Sequence, residues 1–489
     1  MTPPPLPLPS QPDSLAMRMN DFPGGFSPML VKELRQGMRT NLFTVAFILL
    51  QTVMILSLLA GLSDPGAAEI DAFFWFFIIM ILLVVQPLRG FNALSAEYQL
   101  NTMDLIQLTR LNGWRITLGK WTALNAQTLL FVTGVLPYIV MRYFLGNVNF
   151  VVDLAALGML GLGSALASAI TIGCSVFRFF ILRGIILIGF AIGFSGLFVD
   201  LQSTLFRSGL SGSSDLWQLA LIALALVYGC FFFLSFGASR IAPLSENHAT
   251  RKRLVALAVT LLTLGLSFAG IEIETVVMVS AIILGLASID ALTEPLPIYS
   301  RVLEPFRKNP LTRLAALFLA PGWISGIGFF FVCAVLWAVA LHGDNFFAER
   351  SPGVSGVVKI GTFAVDQGQV ILYLSMINLL LFPLIIIHLF FGKQTTGNFT
   401  FALYAFIQCV LLFLTMMIMT LAGAMSRYEE LIFTLAPLPS VMFSANAQGE
   451  ADEPIFLVIA LATTFFSVTI PLLRHRAAFR QFQHHLKNP

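Results

Sequence analysis

Two ionisable residues inside long apolar stretches are the first candidates for chemistry in this sequence. His388 lies within residues 370–391, and Asp290 lies near the end of residues 275–292. A titratable side chain inside a membrane is costly, and it often marks an ion or proton pathway. We therefore consider both residues possible intramembrane functional sites. The alternatives are a neutral histidine bonded to a neighbouring helix, and an aspartate that reaches the interface.

Motifs for nucleotide or metal chemistry are incomplete. A phosphate cradle needs Gly-x4-Gly-Lys-Ser/Thr, in which backbone amides wrap the phosphates and the hydroxyl holds magnesium. The nearest approach runs from Gly113 to Gly119 and Lys120, but its spacing is one residue too long and Trp121 replaces the hydroxyl. The six histidines show no His-Glu-x-x-His and no paired ligand spacing. We expect no ATP hydrolysis by this chain, no catalytic residue, no metal site and no cofactor.

The composition is that of a membrane protein. Of 489 residues, 57% are hydrophobic and 11% are charged, whereas a soluble protein is about a quarter charged. Lipid must therefore cover the apolar surface, and we expect an all-α polytopic fold. The small net charge of +3, without a basic face, excludes nucleic acid as a partner. The proline-rich residues 1–25 predict a disordered tail.

Twelve apolar segments are long enough to cross a bilayer, which takes about 17–25 residues. They are residues 43–62, 72–88, 121–141, 154–177, 184–201, 217–236, 254–271, 275–292, 314–341, 370–391, 399–424 and 454–473. The divisions at 178–183 and 272–274 are the weakest, since a re-entrant hairpin at either place would change the count.

The basic residues indicate the orientation. Cytoplasmic loops gather Lys and Arg, so both termini are expected in the cytoplasm. This orientation leaves only five of the 28 basic residues outside, namely Arg142, Arg207, Arg350, Lys359 and Arg427. An error in the number of spans would place every later loop on the wrong side and remove this bias of basic residues.

An amphipathic segment precedes the first span, at residues 27–41. Its apolar residues recur every four positions: Leu30, Leu34 and Met38. Its basic residues lie on another side: Lys32, Arg35 and Arg39. We expect an elbow helix in the membrane interface, with its basic side toward lipid phosphates. The alternative is a helical start to span one that only follows the positive-inside bias.

The segment between spans two and three, residues 89–120, is far longer than a connection between packed helices needs. Apolar residues at helical spacing predict an amphipathic helix over residues 93–109, and Asn112-Gly113 ends it. A cytoplasmic helix with an apolar face must dock on lipid, on the rest of the chain or on a partner.

These two elements resemble the permease subunit of type 2 ABC exporters, over roughly residues 28–145. In that family a basic elbow helix precedes span one, and an acidic residue and a Thr-x-x-Leu helix follow span two. The matching positions here are Glu97, Thr102, Asp104, Leu105, Thr109, Ile116, Gly119 and Lys120. Leu111 stands where the family commonly has a proline.

The resemblance implies that residues 93–109 are a coupling helix that contacts a separate ATPase subunit, in two copies or as a dimer. It also implies an exporter in a prokaryotic inner membrane, with a homodimer or a second permease as a further possible partner. Type 2 permeases usually have six spans, so twelve suggest two halves, residues 26–253 and 254–473. The second half is either an asymmetric permease half or an appended module. Residues 474–489 would be a basic cytoplasmic tail.

Two other functions stay open on the sequence. One is a twelve-helix secondary transporter, for which twelve spans with both ends inside are suitable. No chain of buried acids and bases is evident, which counts modestly against coupling to an ion. The other is a membrane-embedded enzyme, which would need His, Asp or Ser groups that converge at one depth.

Overall fold

The chain folds into helices. The structure, a computed structural model, describes residues 28–63, 68–95, 112–145, 149–177, 180–208, 213–242, 246–267, 273–296, 300–341, 367–391, 397–424, 438–442, 454–476 and 479–480. Within these ranges there is no strand. Helices satisfy their backbone polar groups internally, as hydrocarbon surroundings require. The all-α prediction is confirmed for the described residues.

The longer helices follow one another in simple order. They are α1 (Pro28–Met38), α2 (Asn41–Ser63), α3 (Ala68–Ile79), α4 (Gly113–Leu145), α5 (Phe150–Cys174), α6 (Phe180–Ser208), α7 (Ser213–Ile241), α8 (Ala249–Ser267), α9 (Ile273–Thr293), α10 (Pro310–Leu319), α11 (Trp323–Leu341), α12 (Gln367–Phe390), α13 (Gly397–Ala424) and α14 (Pro454–Arg474). Helix α3 continues through a π-helical turn, Met80–Val85, into Gln86–Leu88, and a 3-10 helix, Ser300–Arg307, precedes α10.

Eleven of the described helices are long and apolar enough to cross a membrane, namely α2 to α7, α9 and α11 to α14. Their outward faces carry large apolar side chains, such as Phe144 at 77% exposure and Met416 at 74%. A water-soluble monomer rarely exposes so large an apolar surface, and lipid is its natural solvent. The protein is therefore an integral, multi-pass membrane protein.

The seventh predicted span, residues 254–271, is not among these eleven. It corresponds to α8, whose first turns contain Arg251, Lys252 and Arg253. Three charges make these turns too polar for hydrocarbon by composition alone. Lys252 and Arg253 are nevertheless buried inside the protein.

The ninth predicted span, residues 314–341, is not one helix but two, α10 and α11. Pro321 disfavours a helical conformation at the residue before it, and Ala320 is extended, with ψ 152°. Gly322 follows with φ 108°, in the left-handed region that glycine adopts without strain. The ten residues of α10 are too few to cross a bilayer.

Contacts between helix ends follow the predicted alternation of sides. Arg142, near the end of α4, is bonded to Asp71, near the start of α3. At the opposite ends, the Arg251 guanidinium at the start of α8 lies 4.8 Å from the ring centroid of Trp114 at the start of α4. Both contacts are compatible with helices that alternate in direction, and the side of the membrane on which each end lies stays a prediction.

The helices before and after residue 253 share a core. Phe232 of α7 packs in one apolar cluster with Val279 of α9 and Phe329 of α11. Phe401 of α13 lies 4.6 Å from Phe236 of α7, measured between ring centroids. The predicted boundary between residues 253 and 254 falls inside α8, and the division into two halves stays a prediction.

Candidate functional site

The helix expected before the first span is α1, and it packs against α2 and α4. The three basic residues that were expected to face lipid phosphates are exposed on it: Lys32, Arg35 and Arg39. Leu34 is half-buried on the other side. Its position in the membrane interface stays a prediction.

Lys120 connects α4 to α1. Its ammonium group lies 2.9 Å from Glu33 Oε1, and the side chains of Lys120 and Glu33 are 8% and 22% exposed. A half-buried pair of this kind is screened less by water than a surface pair. Lys120, which the resemblance places at the coupling site, is therefore buried against α1. Gly119 is half-buried beside it.

Arg89 makes a second connection between the same elements. It follows α3, and its Nη2 donates to the Gly37 carbonyl oxygen at 2.5 Å, while Nη1 donates to the Gln127 amide oxygen. Gln86 donates from Nε2 to the Leu124 carbonyl oxygen at 3.1 Å. The end of α3, the start of α4 and helix α1 are thus joined by polar contacts.

Most of the predicted coupling residues lie outside the described part of the chain: Glu97, Thr102, Asp104, Leu105 and Thr109. The residues that flank this segment are described. Leu94 is fully buried, and its backbone N–H donates to Ser175 Oγ at 3.1 Å, at the end of α5. At Gly113, a Cβ atom would lie 2.9 Å from the Ala238 carbonyl oxygen of α7. Each end of the segment is therefore seated on a different helix.

Asp290 is part of a buried group of charges. Its Oδ2 lies 2.5 Å from Lys252 Nζ, and each of the two side chains is 6% exposed. Lys252 also lies 3.8 Å from Glu294 Oε1, and Glu294 Oε2 accepts from Arg253 at 2.9 Å. We call Lys252, Arg253, Asp290 and Glu294 the buried ion cluster. Acids and bases therefore meet in the protein interior, which the sequence alone did not indicate, and the depth of Asp290 in the membrane stays a prediction.

Arg253 also holds the interruption between α10 and α11. Its guanidinium donates to the carbonyl oxygens of Phe318, Ala320 and Gly322, at 3.0, 2.6 and 3.2 Å. These include carbonyls that the end of α10 leaves without helical partners. Glu294 Oε2 accepts from the Gly322 backbone N–H at 3.2 Å, so one ion pair satisfies both sides of the break.

Sequence reasoning missed this cluster, although a signal for it was present. Asp290 and Glu294 are four residues apart, the spacing of one helical face. Lys252 and Arg253 were counted only as loop charges that indicate a cytoplasmic side. Helices α8 and α9 follow one another, so the start of α8 and the end of α9 lie side by side in a helical hairpin. The basic pair at the first end and the acidic pair at the second therefore favour a contact.

His388 is bonded to a second histidine at the ends of α12 and α14. Its Nδ1 lies 3.1 Å from Nε2 of His475, and His388 is 5% exposed. Trp323, at the start of α11, covers both rings, with centroid distances of 4.7 and 5.5 Å. Burial, and then the neighbouring Arg474, lower the pKa of His475 from 6.5. The sequence alternative of a histidine bonded to a neighbouring helix is the arrangement present here.

Comparisons with known proteins identify no relative: no family model, no curated protein and no solved structure matches this chain. The function must therefore be argued from the residues and their geometry.

Proposed function

We propose that the chain is the membrane-spanning permease subunit of an ATP-driven transporter, similar to the type 2 ABC exporters. A separate ATPase subunit, as a dimer or in two copies, would supply the energy, and a second permease chain would complete the complex. The observation that supports this most is the seating of both flanks of residues 96–111. Leu94 is fixed on α5 and Gly113 on α7, so this segment joins two well-anchored ends.

The anchoring suits a lever. A partner that displaces residues 96–111 pulls directly on the end of α3 and the start of α4. Lys120 and Arg89 connect those ends to Glu33 and Gly37 of α1. Displacement of the segment would thus move α1, α3 and α4 together, which is how a partner outside the bilayer can act on spanning helices.

The proposal includes twelve crossings, with both termini in the cytoplasm of a prokaryotic cell and the chain in its inner membrane. Lys252 at the start of α8 contacts Asp290 at the end of α9, so the two helices run antiparallel. If α9 crosses, a partner of 19 residues beside it spans about the same depth. Accessibility labelling of cysteines introduced at Gly66, Gly353 and Gln448 should succeed in intact cells, and labelling at Gly392 instead would refute the topology.

Charge reversal in the segment tests the coupling role. Glu97 and Asp104 are seven residues apart, so a helix would place them on one side. The double variant Glu97→Lys/Asp104→Lys should weaken co-purification with the ATPase subunit, since like charges across an interface cost several kcal/mol. The matched control is Glu246→Lys/Glu304→Lys, which reverses two exposed acids elsewhere. Undiminished ATPase recovery and ATPase stimulation in the first variant would contradict the coupling role.

A secondary transporter driven by an ion gradient is the second candidate. The buried ion cluster favours it, because buried acids and bases can exchange a proton or a cation. Proteoliposomes with the purified chain alone should then show substrate-induced charge movement without ATP, which Asp290→Asn would abolish. Charge movement that persists in Asp290→Asn would exclude this cluster as the coupling site.

A further inference from the structure

A polar pocket of about 280 Å³ lies between α1, the start of α4 and the residue after α3. Residues that line it include Gln36, Thr40, Leu42, Arg89, Lys120 and Gln127. Its walls combine two cations, two amides and the carboxylate of Glu33, which is paired with Lys120, and Leu42 stands at its apolar side. A cavity with convergent polar groups of this kind is a candidate ligand site.

Arg89 is the half-buried cation in this pocket that has no anionic partner among the described residues. Both of its acceptors, the Gly37 carbonyl and the Gln127 amide oxygen, are neutral. Lys120, in contrast, is paired with Glu33. Burial also lowers the pKa of Arg89, which indicates the cost of desolvating its charge. A buried charge is stabilised by an opposite charge with hydrogen bonds, and a phosphate offers both to a guanidinium.

The pocket adjoins a lipid-facing surface. Leu42 lines it and is 48% exposed at the start of α2. Exposed apolar residues continue from there along one side of α2: Val45, Leu49 and Leu56. Their spacing of three, four and seven residues is that of one helical face. A ligand that filled the pocket could therefore extend hydrocarbon along α2.

We propose that this pocket binds the phosphate of an anionic phospholipid headgroup, with Arg89 as its principal cation. The acyl chains then lie along the Leu42–Val45–Leu49 side of α2. Basic pockets between membrane helices are suited to such headgroups. A free phosphate ion shares the headgroup chemistry but has no hydrocarbon for α2 to contact. The inference depends on the membrane fold alone and is independent of the proposed transport function.

Native mass spectrometry of the full-length protein in detergent micelles tests the site with phosphatidylglycerol and phosphatidylcholine as probes. We expect phosphatidylglycerol to bind more tightly than phosphatidylcholine. Arg89→Gln should weaken phosphatidylglycerol binding about tenfold, because the charge-assisted hydrogen bonds from the guanidinium to the phosphate are lost. The matched control Arg313→Gln removes an exposed arginine of α10, outside the pocket lining, and should leave binding nearly unchanged.

A second pair of variants keeps the test valid if Arg89→Gln does not fold. Gln36→Glu places a carboxylate at the pocket without removing an internal bond, and it should also weaken phosphatidylglycerol binding. Lys308→Gln changes the net charge by the same unit on an exposed side chain outside the pocket and should have little effect. Equal losses within either pair, or equal binding of the two lipids, would overturn the site. Competition by inorganic phosphate at the lipid's own concentration would assign the pocket to a soluble phosphate and overturn the lipid proposal.

Discussion

Removal of Lys252 should destabilise the protein more than removal of any exposed lysine. Lys252 and Asp290 are 2.5 Å apart, and each side chain is 6% exposed. Lys252→Met leaves Asp290 buried with an uncompensated charge, and loss of one partner of a buried pair costs about 3–5 kcal/mol. The double variant Lys252→Met/Asp290→Leu removes both charges and should recover most of that loss, because burying an ion pair gains little over burying apolar groups.

Thermal unfolding of the purified variants in one detergent, followed by tryptophan fluorescence, measures this difference. Lys308→Met is the matched control, because Lys308 is exposed and makes no described ion pair. The expected order of midpoints is wild type, control and double variant close together, with Lys252→Met well below. A thermal midpoint of Lys252→Met equal to that of the control would refute this prediction, and so would a double variant that has the lowest midpoint of all.

Two further predictions concern the break and the histidine pair. Gly322→Ala should lower the free energy of unfolding by about 1–2 kcal/mol, because Gly322 has φ 108°. The control Gly265→Ala, in a helix with open space around the new Cβ atom, should not destabilise the protein. Thermal unfolding midpoints of the two variants measure the difference. The pKa of His475 is lowered from 6.5 by burial and by Arg474, with His388 facing it, so the unfolded chain binds more protons. The free energy of unfolding should therefore fall as the pH drops below 6.5. His475→Gln should reduce the dependence of the thermal midpoint on pH, and the same dependence in wild type and variant would contradict this.

The fold was largely predictable because lipid imposes a simple rule on sequence. A run of about 20 apolar residues has few structures open to it other than a spanning helix. The predicted stretches at residues 43–62 and 399–424 correspond to α2 and α13, with bounds that differ by a few residues. The prediction of one helix over residues 314–341 was wrong because this segment is apolar throughout, while Pro321 and Gly322 interrupt the helical backbone within it. Hydropathy does not register a backbone break.

The candidate site was less predictable, because its contacts join residues far apart in the chain. Lys120 was selected from the resemblance, but its partner Glu33 lies 87 residues earlier, on a helix that was predicted from its apolar and basic residues alone. Lys252 and Asp290 are closer in sequence, but they lie on different helices, and only the spacing of Asp290 and Glu294 on one helical face is visible in the sequence. His388 was a sequence candidate whose functional role stays a prediction, and its partner His475 lies beyond the last predicted span. The charge pattern of the sequence thus did not identify these pairings.

Two short helices that cannot cross the membrane are held to their neighbours in related ways. Helix α1 precedes span α2 and is bound through Glu33 to Lys120 of α4. Helix α10 precedes span α11 and is bound through its terminal carbonyls to Arg253 of α8. In each case a buried cation from a different helix contacts the short helix. Helix α1 packs mainly on α4, whereas α10 also packs on α11, the span that it precedes. Movement of α4 should therefore carry α1 with it, whereas Arg253 of α8 is bonded to both sides of the turn at Ala320–Gly322, so movement of α8 should displace the junction of α10 and α11.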